Sequence, residues 1–499
     1  MPVSPAPTTT VSRAPASNTS VAIVGPVCCQ SEVMSATLGG CSGPGNGLDS
    51  RGARVQPRAE GHRAAIGIAP HDRKGVAGAS RGEDAGGRSE GARRGRGRRT
   101  RRPGREDHMA SIRSIGTAVP AARLRQSEVR DFFASQPGVD RLTARLIAAA
   151  FDGSAIETRY SAIGALGPGG GLFTDEAGLL RSPSTGERND RYRSEAPALS
   201  ASAARAALAR SGFSPGDITH VITASCTGCF APGPDVLLVK QLGIPGTAER
   251  LHVGFMGCAA AFPALRTAAG LCVAQPGSVA LVVCTELCSL HIRSSRDPEQ
   301  IVASAVFGDG AAAAIVASGD APDPRAGGTG AHRFRSLEVD GFTTALTADG
   351  EADMDWTIGD RGFEMRLTAE VPRIVGREIA GVVDGMLDGA DPAGIAAWAV
   401  HPGGRSVLDR VQQALALPDA AMAQSRGVLR DYGNMSSATI LFILERMLRE
   451  GSLAAGEQVA GLCFGPGLTV ETVLLRCAGE GSADPSPDSE TAPVAEDRA

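Results

Sequence analysis

A cysteine, a histidine and an asparagine, far apart along the chain, have the side chains that one acyl-transfer reaction would need. Cys258 lies in "GFMGCAAA", before a run rich in alanine and leucine, so the sequence predicts a thiol at the start of a helix. The backbone N–H groups and the dipole at a helix start stabilise an anion, which favours a nucleophilic thiolate. A free cysteine is more often a buried small hydrophobe, and Cys258 taken alone is open to both interpretations.

The histidine and the asparagine also have structural explanations when each is taken alone. His401 ends the apolar run "GIAAWAV" and precedes Pro-Gly-Gly. A lone histidine in apolar surroundings is usually a satisfied core group, but ligands gather at the carboxyl ends of strands in α/β sheets. Asn434, in "DYGNMSSATILF", comes just before a predicted helix, where asparagine is a common N-cap.

Together the three side chains can form a carbon–carbon bond. His401 would hold Cys258 as a thiolate, which takes an acyl group from a thioester. His401 and Asn434 would then donate hydrogen bonds to a malonyl thioester carbonyl and stabilise the enolate that forms when CO2 is lost. The enolate attacks the acyl-cysteine. A Cys–His–Asn hydrolase uses the same side chains, and it would have a hydrolytic water site in place of a coenzyme tunnel.

The elements that must position these residues alternate between strands and helices. Short apolar or β-rich runs predict buried strands at 220–226, 278–287, 311–318 and 394–400. Apolar residues at three- and four-residue steps predict helices at 235–244, 370–387, 405–417 and 436–448. This alternation predicts an α/β layered fold with helix-covered sheets.

Composition limits the classes of partner. The formal net charge of −4 gives no general attraction to nucleic acid or to an anionic membrane. No apolar run approaches the length of a membrane helix, about 20 residues. The 11 cysteines, an odd number without repeated spacing, argue against a disulfide framework and for a reducing, cytoplasmic compartment. Cys226 and Cys229 have CxxC spacing, but no second CxxC or HxxxH accompanies them, so we expect no metal site.

Both ends of the chain have the composition of disordered segments. Residues 1–108 are rich in Pro, Ser, Gly and Arg and lack sustained hydrophobic periodicity, so we expect a disordered extension, with Met109 as the start of the native protein. The arginine block at 92–105 leaves another class open, a polyanion-binding protein that contacts nucleic acid through this arm. Residues 479–499 form an acidic Pro/Ser segment, which we also expect to be disordered.

Five motifs, in the same order along the chain, resemble the type III polyketide synthases, the family of the chalcone and stilbene synthases. They are "GFMGCAAA", "VFGDGAAAAIV", "AVHPGGRSVLD", "YGNMSSA" and "FGPGLTVETVLLR". The resemblance implies a thiolase-like αβαβα fold of two similar halves, at 109–320 with the nucleophile and at 335–478 with the histidine and the asparagine. It implies a homodimer that uses malonyl-CoA and an acyl-CoA starter, with no metal, bound cofactor or carrier protein. The related ketoacyl-ACP synthases III, which make one condensation and need a carrier protein, are the alternative.

The resemblance also implies roles for individual residues. Cys258 matches the nucleophile, and His401 and Asn434 match the pair that promotes decarboxylation and binds the oxyanion. Phe307 of "VFGDG" matches a gatekeeper between the coenzyme tunnel and the cavity. Further positions that line or adjoin the family's cavity are Cys226, Thr227, Glu286, Cys288, His291, Ser436, Gly465 and Pro466.

Several residues depart from the plant enzymes of this family. Met365 stands where they have a second gatekeeper phenylalanine, and Trp356 stands where a glycine enlarges their cavity. Trp356 should shorten the elongation pocket, so we expect tri- or tetraketides that close to pyrones, resorcinols or phloroglucinol-type rings. Basic residues for the phosphates of coenzyme A do not align cleanly, which leaves Arg141 and Arg145 as candidates.

Overall fold

The computed structural model describes residues 110–169, 171–319, 321, 335–451 and 453–478. The expectations for residues 1–108, for Met109 and for residues 479–499 lie outside the described residues. The strands are β1 (Ser111–Ala118), β2 (Ala122–Arg125), β3 (Thr158–Ser161), β4 (His220–Ser225), β5 (Glu249–Gly254), β6 (Val279–Leu287), β7 (Asp309–Ala317), β8 (Ser336–Leu346), β9 (Met354–Gly359), β10 (Gly362–Leu367), β11 (Ala397–Val400), β12 (Gln458–Gly465) and β13 (Thr469–Ala478). The α-helices are α1 (Gln126–Ala134), α2 (Arg141–Asp152), α3 (Thr185–Ser211), α4 (Pro234–Leu242), α5 (Ala261–Ala274), α6 (Pro298–Val306), α7 (Val371–Leu387), α8 (Arg405–Ala414), α9 (Ala423–Tyr432) and α10 (Thr439–Arg449).

One mixed sheet of nine strands forms the centre of the fold, in the order β11-β12-β13-β8-β1-β7-β6-β4-β5. In one half, β6 pairs in parallel with β4 and antiparallel with β7. In the other half, β12 pairs in parallel with β11 and antiparallel with β13. The halves meet where β1 pairs antiparallel with β8. Two similar arrangements of strands therefore share one sheet, and β9 pairs with β10 in a separate hairpin.

Helices cover both faces of this sheet, which explains why its central strands are apolar throughout. All nine residues of β6 are buried. Ala280, Val282 and Cys284 pack in the core cluster that contains residues of α5 and α10, whereas Leu281 and Val283 pack in the cluster that contains residues of α3. Burial on both faces removes the need for polar residues at every second position. The predicted α/β fold with helix-covered sheets is confirmed.

The helix α5 is a core element of the first half. Within the described part of the chain, only Gly257–Ala274 is long and apolar enough to cross a membrane, and 61% of that stretch is buried inside the protein. Phe262 and Leu265 of α5 are 0% and 1% exposed. The apolar character of this stretch is therefore explained by its packing against the sheet. Cys258 lies near the start of the stretch.

Several predicted elements have shifted ends, and two illustrate the cause. The predicted strand at 394–400 begins only at Ala397, because Pro392–Gly394 form a turn of 3-10 helix. The predicted helix at 405–417 ends at Ala414. The core of each element lies where the hydrophobic pattern placed it, since burial fixes the middle of an element more strongly than its ends.

Candidate active site

The thiol of Cys258 lies in a turn of 3-10 helix, Gly257–Ala259, that directly precedes α5. Its Sγ atom is 3.9 Å from both Oδ1 and Nδ2 of Asn434. Burial raises the pKa of the thiol to about 11, while hydrogen bonds with Ser436 and Asn434 act in the opposite direction. The cysteine is therefore at the predicted start of a helix, but desolvation outweighs the groups that favour its thiolate.

The motif "FGPG" supports the turn that carries the thiol. Gly257 has a φ of 54°, and a Cβ atom on it would lie 2.5 Å from Cδ of Pro466. A Cβ atom on Gly465 would lie 2.9 Å from Cβ of Ala259 and 2.9 Å from the carbonyl oxygen of Met256. Both approaches are too close for any residue other than glycine. The structure thus places Gly465 and Pro466 against the cysteine-bearing turn.

Asn434 is held by its own backbone and by its neighbour Ser436. Its N–H donates to the carbonyl of Val306 at 2.8 Å, and its carbonyl accepts from the N–H of Gly308 at 2.9 Å. Its Oδ1 atom accepts from the N–H of Ser436 at 2.8 Å. This bond fixes the orientation of the amide, so the Nδ2 hydrogens are available to an acceptor near Cys258. The predicted helix at 436–448 starts with a 3-10 turn, and the N-cap of α10 is Ala438, not Asn434.

His401 directly follows the last residue of β11 and is 0% exposed. Neither of its ring nitrogens has a hydrogen-bond partner among the described residues. Burial lowers the pKa of the ring to about 3, which keeps the imidazole neutral at ordinary pH. A buried polar group without a partner costs roughly 1–3 kcal/mol, so a ligand atom that satisfied these nitrogens would gain affinity.

Hydrogen bonds connect the segment around His401 with β12 and with Asn434. Its N–H donates to the carbonyl of Leu462 in β12, the strand that ends at the cysteine-bearing turn. The carbonyl of Gly403, two residues after His401, is 3.5 Å from Nδ2 of Asn434. In the described residues, the amide of Asn434 contacts the thiol directly, and His401 forms no hydrogen bond with Cys258.

A buried carboxylate, that of Glu286 at the end of β6, organises the polar residues on the other side of Cys258. Glu286 is 0% exposed and accepts from the N–H of Cys226 at 3.1 Å, from Oγ1 of Thr227 at 2.8 Å and from the hydroxyl of Ser437. Burial raises the pKa of Glu286. These donors fix the loop after β4, so Thr227 and Glu286 serve here as an internal network.

Cys226 and Ser436 connect this network to the candidate nucleophile. The Sγ atom of Cys226 is 3.5 Å from Oε1 of Glu286 and 3.4 Å from Oγ of Ser436. Interaction with Ser436 also acts to lower the pKa of the Cys258 thiol, against the effect of burial. Burial raises the pKa of Cys226 well above its usual value, which keeps it a neutral thiol. Ser436 therefore lies between two thiols, of which only Cys258 contacts the amide of Asn434.

The hairpin β9–β10 contributes an aromatic wall. Trp356 donates its indole N–H to the carbonyl of Cys226 at 2.6 Å, and its ring meets that of His291 edge to face at 5.6 Å. The His291 ring stacks on Phe363 at 4.4 Å, and its Nδ1 accepts from the N–H of Phe363 at 3.0 Å. Nε2 of His291 then carries the proton and donates to the carbonyl of Thr227 at 2.8 Å. His291 is neutral, because burial lowers its pKa to about 3. Its two hydrogen bonds join the hairpin to the loop after β4.

A small cavity of about 30 Å³ lies in front of this wall. Five of the residues predicted from the sequence line it, namely Cys288, His291, Phe307, Trp356 and Met365. The other lining residues, which include Gln300 and Phe363, were not predicted. Gln300 donates to the carbonyl of Met365 and so ties α6 to the hairpin, a contact between distant segments that no local pattern announces.

A larger groove of about 780 Å³ opens beside the cavity, between α2, α6, α7 and α8. Its lining includes Val306, the residue before Phe307, and Gly403 and Gly404 of the loop after His401. The groove therefore reaches the chain segments that carry Phe307 and His401. Its dimensions and position are suited to an extended substrate that reaches the site from the surface.

The basic residues of this groove differ from those predicted. Arg373, Arg405 and Arg410 line it. Arg141 and Arg145 lie near the start of α2 and are not among the lining residues. The lining includes Ala149 and Ala150 near the end of this helix and Gly153 just beyond it. Arg405 could have been found from the sequence, because it directly follows the Pro-Gly-Gly of the histidine motif at the start of a helix.

The CxxC pair does not form a joint site. Cys226 is buried against Glu286, whereas Cys229 is exposed and its N–H donates to Oδ1 of Asn189. Within the described ranges, no group of three His, Cys, Asp or Glu side chains is arranged to hold a metal ion.

Two similar half-sheets share one sheet, and a cysteine, an asparagine and a histidine have the side chains that a condensing enzyme of the thiolase-like type uses. Residues 97–320 match the model of the chalcone and stilbene synthases, N-terminal domain, and residues 341–479 match that of their C-terminal domain. The chain therefore belongs to the chalcone and stilbene synthase family, the type III polyketide synthases.

Relatives and solved structures support the same assignment. The 3,5-dihydroxyphenylacetyl-CoA synthase of Amycolatopsis balhimycina is 32% identical over 366 residues, which cover 72% of this chain and 91% of the relative. That of Streptomyces toyocaensis is 33% identical over 369 residues, 73% of this chain and 89% of the relative. The structure of PKS-I from the brown alga Ectocarpus siliculosus matches with a TM-score of 0.68 and 29% identity, over 74% of this chain and 99% of that one. The C-terminal type III polyketide synthase domain of Steely1 from Dictyostelium matches with a TM-score of 0.66 and 28% identity, over 74% of this chain and 100% of that domain.

These findings confirm the predicted family, its thiolase-like fold and its enzyme class. The protein is an acyltransferase of the type III polyketide synthase group, which extends acyl thioesters with malonyl units. The boundaries predicted for the halves, at 109–320 and 335–478, and the roles of individual residues remain predictions.

Proposed function

We propose that the protein condenses malonyl units on Cys258 into a tetraketide and closes it to a resorcinol-type ring, with 3,5-dihydroxyphenylacetyl-CoA as the leading candidate product. The observation that carries the proposal is the 3.9 Å contact between Sγ of Cys258 and the amide of Asn434, close to a cavity with an aromatic wall. A nucleophile and a hydrogen-bond donor at one point are what acyl loading and enolate stabilisation need.

Loading begins when the Cys258 thiol loses its proton to His401. Burial raises the pKa of the thiol to about 11 and lowers that of the imidazole to about 3. An ion pair between thiolate and imidazolium offsets both desolvation penalties, because each charge then has an opposite charge beside it. The thiolate attacks the carbonyl of the starter acyl-CoA, the bond to the coenzyme sulfur breaks, and an acyl-cysteine forms.

Extension uses two hydrogen-bond donors, Asn434 and His401. Nδ2 of Asn434 and the protonated ring nitrogen of His401 donate to the thioester carbonyl of malonyl-CoA. When the malonyl carboxylate leaves as CO2, negative charge develops on this oxygen, and the enolate is stabilised where the donors already point. The enolate carbon attacks the acyl-cysteine, which lengthens the chain by two carbons and frees the Cys258 thiolate for the next round.

The cavity wall supports a short product. Trp356 is held by its bond to the carbonyl of Cys226 and by its contact with His291, so it cannot swing aside without losing both. Met365 is the flexible part of the lining and can adapt to the growing chain. The acyl group of 3,5-dihydroxyphenylacetyl-CoA has eight carbons, which is four two-carbon units. That length fits the tri- or tetraketide range that Trp356 favours.

The groove of about 780 Å³ is proposed as the entry for coenzyme A thioesters. Arg405, at the first position of α8, and Arg373 line it and are suited to bind phosphate oxygens. Val306 and Gly403 mark its inner end, beside the gatekeeper Phe307 and the loop after His401. Arg141 and Arg145, on α2, remain weaker candidates for the same role.

The edge strand β5 supports the proposed homodimer. All of its residues except Val253 are exposed, and it pairs on one side only, with β4. Leu251 and the following Phe255 are 44% and 39% exposed. An unpaired strand edge with exposed apolar residues is a template for a second strand. Pairing of β5 with β5 of a second copy would cover it and extend the sheet through the dimer.

The cysteines support a cytoplasmic location. All cysteines among the described residues are free thiols, including the exposed Cys229. Free thiols persist in a reducing compartment, which also supplies the coenzyme A thioesters that the proposed reaction uses.

Product masses from the purified protein test this proposal. With malonyl-CoA alone, and with a panel of short and fatty acyl-CoA starters, we expect an eight-carbon aromatic product from malonyl-CoA. The Cys258→Ala variant should form no polyketide, since the acyl acceptor is gone.

The outcome also separates the alternatives. Activity only with an acyl carrier protein, and arrest after one condensation, would favour a ketoacyl-ACP synthase III. Polyketide formation by Cys258→Ala would contradict the assigned nucleophile. Deletion of residues 1–108 should leave synthase activity intact, and nucleic-acid binding that disappears with this deletion would add a second function.

A further inference from the structure

A buried arginine behind the candidate site, Arg159 of β3, has an unusual set of partners. It is 5% exposed, and its Nη1 atom donates to the carbonyls of Ser304 and Phe307, both at 2.7 Å. Its Nε and Nη2 atoms have no hydrogen-bond partner among the described residues. Asp309 favours its charge, but the oxygens of Asp309 already accept from Ala162 and Ser289.

The charge of Arg159 is expensive where it lies. Burial lowers the pKa of the guanidinium to about 10, so it remains protonated at neutral pH. A buried charge without a directly bonded counter-ion is costly, and the face of the Phe151 ring, 5.4 Å from the guanidinium carbon, offsets only part of that cost. An apolar residue would fill this space without the cost of burying a charge. The presence of arginine is therefore explained by the carbonyl groups to which it donates.

Those groups belong to the end of the helix α6. The last four carbonyls of a helix have no partner within it, and the carboxyl end of a helix carries partial negative charge. Arg159 supplies both a donor and a positive charge to Ser304, near this end, and to Phe307, just beyond it. The guanidinium therefore fixes the turn that leads from α6 to β7.

This turn connects with two residues of the candidate site. Phe307 lies in the turn and lines the small cavity. The backbone of Asn434 pairs with the same turn through Val306 on one side and Gly308 on the other, at 2.8 Å and 2.9 Å. A displacement of the turn would thus move both the gatekeeper and the amide that contacts the thiol.

We propose that Arg159 is a positioning residue that holds Phe307 and Asn434 in register with the thiol of Cys258. The inference rests on the proposed polyketide synthase function. Without the guanidinium, the turn shifts, the enolate and the acyl-cysteine meet less often in reacting geometry, and the growing chain is released early. A misplacement of about 1 Å at a reacting group can lower the rate on the order of 100-fold.

Arg159→Met tests this role, because it keeps the length of the side chain and removes the donors and the charge. We expect kcat for the tetraketide to fall about 100-fold while KM for malonyl-CoA changes little, and the products to shift towards shorter lactones. Arg159→Lys, which keeps a charge and a donor, should recover part of both. Arg210→Met is the matched control, since Arg210 also donates to a backbone carbonyl, that of Ile115. It should lower the melting temperature without changing the product ratio.

A second measurement needs no substrate. The rate at which iodoacetamide alkylates Cys258, followed against pH, reports the surroundings of the thiol. Because Asn434 contacts that thiol, the profile should shift in Arg159→Met and remain as in the wild type in Arg210→Met.

The outcomes separate this inference from the proposed function. Wild-type protein that forms no polyketide would contradict the proposed function, and the alkylation profiles would still test Arg159. A folded Arg159→Met with the wild-type product ratio and alkylation profile would overturn the inference, as would the same changes in Arg210→Met. If Arg159→Met does not fold, Arg159→Lys decides: a lowered melting temperature with wild-type kcat and products would reduce Arg159 to a structural residue.

Discussion

Glu286 and His401 are both buried polar residues in the core of the protein, and they differ in how fully their neighbours satisfy them. Glu286 accepts hydrogen bonds from the backbone of Cys226 and from the hydroxyls of Thr227 and Ser437. His401 has no partner for either ring nitrogen among the described residues. The difference teaches which region is satisfied without substrate: the bonds of Glu286 fix the loop after β4, and we infer that a bound substrate supplies the partners that His401 lacks.

His401→Leu should lower the rate of polyketide formation more than Glu286→Gln or Trp356→Ala. Leucine fills a similar volume without the unpaired nitrogens, so the free energy of unfolding should stay the same or rise. Polyketide formation should fall by about 100- to 1,000-fold, because the proposed oxyanion donor and the proposed proton acceptor for the thiol are lost. Kinetics and thermal denaturation of the same preparation check both halves. A large loss of stability with retained activity would place His401 among ordinary core residues.

Glu286→Gln should lower stability more than activity, which is the opposite of the effect expected for His401→Leu. The amide NH2 of glutamine cannot accept from the donors that surround Glu286, so we expect a loss of roughly 1–3 kcal/mol in the free energy of unfolding. The Cys258–Asn434 contact does not involve Glu286, and kcat should change less than in His401→Leu. Urea denaturation measures the loss. A variant as stable as the wild type but without activity would move Glu286 into the reaction itself.

The same comparison predicts a pH dependence of stability. His401 and His291 have folded-state pKa values lowered to about 3 from 6.5. The unfolded chain therefore binds their protons more tightly, and the stability that they contribute above pH 6.5 is lost as the pH falls towards 3. The raised pKa of Glu286 acts with the opposite sign, since its contribution is lost as the pH rises through that pKa. Melting temperatures of His401→Leu should fall less steeply with acid than those of the wild type, and equal slopes would contradict a buried neutral ring.

Trp356→Ala should give the smallest effect on rate and a qualitative effect on product. Removal of the indole enlarges the cavity behind Met365 and frees the hairpin from the carbonyl of Cys226. Longer polyketides should then appear in the mass spectrum. Trp356→Phe is the control, because it keeps an aromatic ring while it removes the N–H donor and only part of the ring volume. An unchanged product distribution in Trp356→Ala would mean that another part of the wall limits the chain.

The central part of most strands and helices could be predicted from local sequence patterns alone. The continuous apolar run at 278–287 predicts a strand covered on both faces, and the structure has β6 there with all nine residues buried. Element ends were less predictable, as the later start of β11 after the turn Pro392–Gly394 illustrates. Caps and turns depend on a few atoms, whereas the buried middle of a strand depends on its whole environment.

The site depended on a different kind of information. Cys258 and Asn434 are separated by 176 positions along the chain, and no periodicity relates them. Their association was predicted from the one reaction that Cys, His and Asn side chains can share, and from the resemblance of the motifs around them to one family. Where the motif carried no signal, prediction was weaker: Gln300 and Arg159 act through contacts between distant segments, and the groove is lined by Arg405 instead of the predicted Arg141.

One measurement tests the central claim most directly. Wild-type protein is incubated with malonyl-CoA, stopped with acid and digested, and the cysteine peptides are examined by mass spectrometry. The account predicts an acyl group on Cys258, its loss in Cys258→Ala, and an unmodified Cys226. Product formation with the acyl group on Cys226, or with Cys258 never modified, would contradict it.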